Sequence, residues 1–328
     1  MPARGRPSLV TILSRLDLLR SDLDRLGGLP PPQPANEVWS EIWRADAHHS
    51  TAIEGNTLTA REVDRLLATG RAGHRRLAEY LEVRAYADSA RWVYDQARPE
   101  TAPWVSGRRL TLTEVREIHR RVVEAVWLVE PPRSLDAREG PGSFRRHDIR
   151  QFSSGTRPPS WTEVPHLMTD WVGAACSPLP EDRHPVQLLA HLHAGFERVH
   201  PFRDGNGRTG RLLVNLLLVR HGYPPLVVRN RQRDRYLAAL GRADRGDLGP
   251  LTHLLAGAAI DSLESFLLAA SAEEDDLLPL ATLASEELSR GALAQAVRRG
   301  RLRAVRRSGS YYSTRAWLAE YSASRRGR

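Results

Sequence analysis

The sequence predicts an all-α protein: a helical domain carrying one short β-hairpin flap, followed by a small basic module in which helices flank a β-wing. Three observations predict it. Apolar residues recur three and four apart, punctuated by helix caps, through most of residues 9–270. One stretch, PGSFRRHDIRQFSSGTRPPS, breaks that rhythm with Gly, Pro and Ser around a short FRRHDIRQF segment, the pattern of a hairpin set between helices. Residues 280–328 then mix helical and strand patterns under dense positive charge.

Taken in order, Leu9, Ile12, Leu16, Leu19, Leu23 and Leu26 form the seam of a short helix that ends at Gly27-Gly28. LPPPQPA follows as a stiff linker, which sets residues 1–36 apart. Such a seam either docks on its own domain or pairs with a second copy, so a homodimer is compatible with it. From Trp39 to Leu67 two helices surround HHSTAIEGNTLTAREV. The first ends at Gly55; Thr57 and Thr59 are candidate N-caps of the second, with Glu62 placed to complete a capping box with Thr59. Residues 76–97 make a helix with Leu77, Leu81, Tyr86 and Trp92 in its apolar pattern, stopped by Pro99 and Pro103. LTLTEVREIHRRVVEAVW opens a further helix at Thr111 or Thr113, and His119 on it reads as structural. The flap occupies about 141–160. Beyond it, Val186, Leu188, Leu189, Leu192, Phe196 and Val199 give an amphipathic helix with Pro185 in its first turn. His184, His191 and His193 cluster there, but His191 and His193 are two apart and point to different faces, which argues against a shared zinc ion. RLLVNLLLVR is apolar nearly all round, the mark of a helix at the centre of a domain. Two more helices follow Tyr223.

Between the amphipathic and the buried helix lies HPFRDGNGRTGR, His200 to Arg211. Its glycines suit a turn whose backbone is open to a ligand, and the helix that follows begins with unpaired N–H groups, a ready anion site. Arg208 and Arg211 stand three apart on the first turn, so both guanidiniums can hold oxygens of a polyphosphate. Asp204 beside that cradle would repel the anion unless a hard cation such as Mg²⁺ sat between them. His200 closes the preceding helix, and an imidazole can take the proton of an incoming hydroxyl. Phe202 serves as an apolar pin. The chemistry implied is attack by a hydroxyl on a metal-bound nucleotide phosphate.

These residues resemble the signature of the Fic family, His-Pro-Phe-x-Asp/Glu-Gly-Asn-Gly-Arg-x-x-Arg, with every fixed position matched. The resemblance implies a Fic helical core that moves AMP from ATP to a Ser, Thr or Tyr hydroxyl of a target protein. It makes His200 the general base and Asp204 the Mg²⁺ ligand. It places Gly205, Asn206 and Gly207, with Thr209 and Gly210, in the nucleotide cradle, and sets Arg208 and Arg211 on the outer phosphates. Ser50, Glu54 and Gly55 resemble the family's inhibitory motif, whose glutamate pairs with the second signature arginine, here Arg211; in some relatives that glutamate instead positions water to remove AMP. The opening of the flap, Pro-Gly-x-aromatic-Arg, is similar to the family's substrate-docking flap and implies that Ile149, Arg150 and Gln151 lie beside the target. Tyr236 and Asp244 match positions that flank the base. The domain is expected over 37–270, with its inhibitory segment at about 45–60.

SAEEDDLLP is an acidic linker over about 271–279. In LATLASEELSRGALAQAVRRGRLRAVRRSGSYYSTRAWLAEYSASRR a helix, a Gly300 turn, a short strand, a Gly309 turn, a second strand and a last helix from Thr314 resemble an excisionase-type winged helix-turn-helix. Residues 290–328 hold eleven Arg and one Glu, a balance of +10 in a chain of net charge +9, so residues before them sum to about −1. Nucleic-acid contact through 280–328 is the reading of that charge. It supports an alternative in which the chain is a nucleotide-sensing transcription regulator. All the positive side chains are arginine; the sequence contains no lysine. The single cysteine, Cys176, excludes an internal disulfide and suits a reducing cytoplasm. No uninterrupted apolar run reaches the roughly 20 residues of a membrane helix, so no membrane partner is expected.

Overall fold

A computed structural model of the chain describes residues 8–32, 37–96, 110–133, 136, 138–152, 155–180, 183–271, 277–285, 287–298, 301–302, 304–307 and 310–326. Among these, helices run in the order α1 (Leu9–Arg25), α2 (Glu37–Ile53), α3 (Ala60–Thr69), α4 (Leu77–Gln96), α5 (Leu112–Val129), α6 (Val164–Cys176), α7 (Pro185–Val199), α8 (Asn206–Arg220), α9 (Arg233–Ala243) and α10 (Gly249–Ser271). A short C-terminal group follows: β1 (Leu278–Pro279), α11 (Leu280–Leu283), α12 (Arg290–Arg298), β2 (Val305–Arg307), β3 (Ser310–Ser313) and α13 (Arg315–Arg326). The chain separates into two compact units, one of Met1–Leu18 with Leu29–Ser262, the other of Leu19–Gly28 with Leu263–Arg328.

The first unit is organised around α8, against which α2, α4, α5 and α7 all pack. Its stretch from Leu212 to Leu218 is buried on every side, as a helix apolar nearly all round must be. Local chemistry fixes the ends of its neighbours. Thr59 and Glu62 close a reciprocal capping box on α3, and Gly70 ends it in the left-handed region at φ 69°. Thr111 and Glu114 do the same for α5. His184 caps α7, and Pro185 takes the first helical position, where a missing N–H costs nothing. Leu16 and Leu23 of the N-terminal seam are buried within the single chain, while Leu26 is exposed.

Among its described residues the flap has no strand, and it closes through a tight turn. Phe152 N–H donates to Thr156 O at 2.9 Å and Gly155 N–H to Phe152 O at 2.9 Å. The carbonyls of His147 and Pro159 bond the Arg145 guanidinium. Helix α10 is long and apolar enough to cross a membrane, with mean hydropathy 1.3 over Gly249–Ala269. The sequence pattern had concealed this because His253, Asp261 and Glu264 interrupt it. Yet 61% of that window is buried inside the protein, with Leu251, Ala256 and Ala259 fully inaccessible.

In the second unit Leu277, Leu280, Leu283, Leu288, Leu293, Ala296, Leu302 and Trp317 make a small core. The three strands lie in the order β1-β3-β2, all antiparallel, with Val305 opposite Tyr312 and Leu278 opposite Ser313. The two turns expected at Gly300 and Gly309 lie outside the described residues.

Candidate active site

The motif is the hinge between α7 and α8. His200 ends α7 in the left-handed region at φ 48°, its N–H donating to Phe196 O at 2.9 Å; among the described residues it is the one non-glycine with positive φ. That strain turns the chain sharply out of the helix, and a network of side chains holds it. Arg145, 1% exposed, donates from Nε to His200 O at 2.9 Å and from its terminal nitrogens to His147 O (2.9 Å), Pro159 O (2.7 Å) and Val199 O (3.3 Å). Its backbone N–H donates to Pro201 O at 2.8 Å. One buried guanidinium therefore ties the flap to the loop.

The next residues are fixed from below. Phe202 is buried and stacks flat on His119, with ring centroids 3.7 Å apart. His119 accepts the Gly142 N–H at Nδ1 (2.9 Å), so its proton is on Nε2, which donates to Asp204 O (2.9 Å). Burial pushes this imidazole down to about 3, so it stays neutral as the geometry requires. The Asn206 amide clamps Phe202 on both sides, accepting its N–H and donating to its C=O at 2.9 Å. The Asn206 side chain thus shapes the loop, which leaves its backbone as the part that can meet a phosphate. Gly205 caps α8 at φ 78°, where a Cβ would also meet Val123 at 2.6 Å.

His200 itself is neutral, burial lowering its pKa to about 4. Its Nδ1 lies 3.4 Å from Glu197 O. A carbonyl only accepts, so Nδ1 carries the hydrogen and Nε2 keeps a lone pair. The Phe152 ring of the flap meets the imidazole edge-on at 5.1 Å, while Arg150 and Gln151 are exposed and Ile149 is half-buried beside it in sequence.

On the other side of the hinge, Arg211 is 3% exposed. It donates from Nε to Ser50 Oγ at 2.7 Å and from Nη2 to Ser50 O at 2.9 Å and Glu54 Oε1 at 2.7 Å. This pairing holds the Glu54 carboxyl below its usual range against the opposing effect of burial. The carboxylate lies over the first turn of α8: a Cβ placed on Gly207 would fall 2.3 Å from Glu54 Oε1. Gly55, with φ 107°, lets the chain leave α2 just past it. Arg208 pairs with Glu82 at 2.7 Å and lies 3.5 Å from Asp204. Asp204 accepts the Gly205 N–H at 2.6 Å on Oδ1 and keeps its side chain 58% exposed.

Other expected residues are placed elsewhere. Thr209 is fully buried, and Gly210 packs against Phe196, His193 and Glu197 of α7, so neither opens to the cradle. Tyr236 is 1% exposed with its hydroxyl 2.6 Å from His193 Nε2; its ring has no face open to a base. Asp244 accepts from Thr156 of the flap at 2.7 Å and from Arg198 at 3.2 Å, so both its oxygens are engaged. Sequence reasoning missed Glu82 and Glu197. The latter is mostly buried, its carboxyl pushed up to about 8 by that burial, and signalled in the sequence only as an acidic residue near the end of an amphipathic helix.

Residues 109–218 match the Fic/DOC family. Among curated proteins, "Protein adenylyltransferase Fic" of Drosophila persimilis is 31% identical over 259 residues, covering 78% of this chain and 47% of the relative. That of Drosophila willistoni is 33% identical over 235 residues, covering 70% and 43%. The chain thus spans about half the length of the curated relatives it matches. Among solved structures, a Fic domain containing signaling protein from Bacteroides thetaiotaomicron superposes with a TM-score of 0.61 at 27% identity, covering 81% of this chain and 97% of that one. Fic-1 from C. elegans gives 0.63 at 26%, covering 80% and 72%. The hinge loop, the helices that carry it and these likenesses agree: the chain carries a Fic domain and belongs to the Fic/DOC family.

Proposed function

We propose that the protein is an adenylyltransferase that moves AMP from ATP to a hydroxyl of a target protein and is held off by its own Glu54. One observation carries the reading. The Glu54 carboxylate sits on Arg211 at 2.7 Å over the amino end of α8, which marks that place as an anion site and shuts it with a residue of the same chain. While it stays there, Arg211 is withheld from a polyphosphate and a negative charge faces any incoming one.

Once Glu54 withdraws, Arg211 and Arg208 hold the outer phosphates, and the first N–H groups of α8 take the remaining oxygens. His200 Nε2 accepts the proton of the target hydroxyl as its oxygen bonds to the innermost phosphorus; the bond from that phosphorus to the outer pair breaks and pyrophosphate leaves. His119, Asn206 and Arg145 keep the hinge from shifting during this step. Asp204 offers an exposed hard oxygen beside the cradle, and no group of three ligating side chains surrounds it among the described residues, which fits Mg²⁺ completed by phosphate oxygens and water. Such an ion, when bound, would neutralise phosphate charge. The flap residues Ile149, Arg150 and Gln151, the last two exposed, would receive the target's backbone.

Intact-mass analysis after incubation with ATP and Mg²⁺ tests the proposal. Glu54→Gly should gain AMP, and the same protein carrying His200→Ala should not; equal mass gain in both, or none in either, rejects it. For the second unit, its own core and the +10 balance of residues 290–328 support nucleic-acid contact. A gel shift that weakens steeply with salt would be the expected sign, and no shift at low salt would dismiss it.

A further inference from the structure

The inhibitory contact is the last rung of a longer buried ladder. Asp46, Ser50 and Glu54 are four apart on α2 and the turn that ends it, so they share one face; Gly207, Arg211 and Asn215 are four apart on α8 and face them. Glu54 and Ser50 meet Arg211 as described. One turn further back, Asp46 Oδ2 accepts Asn215 Nδ2–H at 3.1 Å. The same oxygen accepts the Tyr94 hydroxyl at 2.9 Å, and Oδ1 accepts that of Tyr86 at 3.1 Å. Asn215 is itself immobilised, accepting Leu226 N–H at 2.9 Å and donating to Leu226 O at 3.1 Å. Asp46 is 2% exposed, Asn215 1% and Tyr86 0%.

Glu54 lies beyond the last helical residue of α2, Ile53, so its bond to Arg211 does not by itself fix where the helix sits. Apolar contacts between α2 and α8 tolerate small slides. A buried carboxylate accepting three donors does not, because any slide leaves polar groups unpaired in the interior. Here we propose that Asp46 is a positioning residue of the inhibitory element: through Asn215 and Tyr94 it fixes the register of α2 on α8, and so delivers Glu54 to Arg211. The inference rests on the reading of Glu54 as inhibitor. Burial pushes the Asp46 carboxyl up to about 6, against the pull of the two tyrosine hydroxyls. An amide of the same shape, with its oxygen toward Asn215 and Tyr94 and its nitrogen toward Tyr86, should therefore hold the register nearly as well.

The test compares AMP incorporation by wild type, Glu54→Gly, Asp46→Leu, Asp46→Asn and Tyr94→Phe, each as the full chain. Losing a buried hydrogen bond shifts an equilibrium by about tenfold, so Asp46→Leu should label at least about tenfold above wild type, Tyr94→Phe a few-fold, and Asp46→Asn within about twofold. Asp46→Leu added to Glu54→Gly should label no more than Glu54→Gly alone, since both act through one contact. A merely structural role would instead depress labelling in that double variant. Wild-type labelling by Asp46→Leu, with Glu54→Gly active, overturns the inference while leaving the transferase standing. Should Asp46→Leu fail to fold, Tyr94→Phe decides, and labelling equal to wild type overturns the inference. An inactive Glu54→Gly protein removes the transferase reading and this inference together.

Discussion

Replacing Arg145 by Met removes one side chain and releases four carbonyls from two segments. Met has similar bulk, so the loss is of hydrogen bonds more than of packing. The carbonyls of His147 and Pro159 belong to the flap and can turn to water, but those of His200 and Val199 are at the end of α7 and lose a charged donor. Two stranded acceptors at about 1–3 kcal/mol each predict about 4 kcal/mol of destabilisation. For a domain of this size that is a fall of about 8–16 °C in Tm. Without the bond to its carbonyl, His200 is also free to relax from φ 48° towards an ordinary helix end, which turns the imidazole away from the cradle. In the Glu54→Gly background, AMP incorporation should therefore drop at least about tenfold even at temperatures where the variant is folded. Arg145→Lys, which keeps the charge but cannot reach four carbonyls from one planar head, should fall between. Thermal melting and intact-mass labelling read the two effects. A Tm within about 2 °C of the parent together with unchanged labelling would refute the assignment of Arg145 as the strut of the hinge.

Three further outcomes follow from the same geometry. His119→Phe keeps the stack on Phe202 but orphans the Gly142 N–H and frees Asp204; a loss of about 2–3 kcal/mol in urea unfolding is expected, with weaker labelling in the Glu54→Gly background. Gly207→Ala in that background should leave stability equal or slightly higher, since Ala suits a helix, while cutting ATP affinity about tenfold or more, because the new methyl enters the space now filled by Glu54; calorimetric titration with ATP reads it. For His200 the sign of the pH effect is set by its lowered pKa: the base is competent when unprotonated, and protonation begins only towards about 4, so kcat/KM of Glu54→Gly should stay level from about pH 8 to about pH 5. An acid limb near the ordinary imidazole value would contradict the burial that lowers it.

Much of this was legible along the chain because it is local. The hinge motif announces a glycine turn between helices, and Thr59 and Thr111 lie three residues before a glutamate; the contact between Glu54 and Arg211, 157 residues apart, was implied only by the resemblance to the Fic family, and it is present at 2.7 Å. What stayed hidden depends on long-range packing. Arg145 and Arg146 are neighbours of equal chemistry, yet one is 1% exposed and the other lies at the surface, a distinction that only the carbonyls of α7 can make. Asp46 reads as one more polar residue in EIWRADAHH until Tyr86, Tyr94 and Asn215 converge on it from other helices. The bond of the Tyr236 hydroxyl to His193, which buries the side chain, was likewise invisible in the sequence. No local pattern announced that the flap's His147 and Pro159 carbonyls would bond the Arg145 guanidinium.

The central claim is that a triphosphate rests on the amino end of α8 with its innermost phosphorus in front of His200. Determining the structure of Glu54→Gly bound to ATP and Mg²⁺ tests it most directly. The account predicts that the outer phosphates lie on Arg211 and Arg208 and that His200 Nε2 faces the line of attack on the innermost phosphorus. A vacant cradle, or a nucleotide whose innermost phosphorus lies out of reach of that nitrogen, would contradict it.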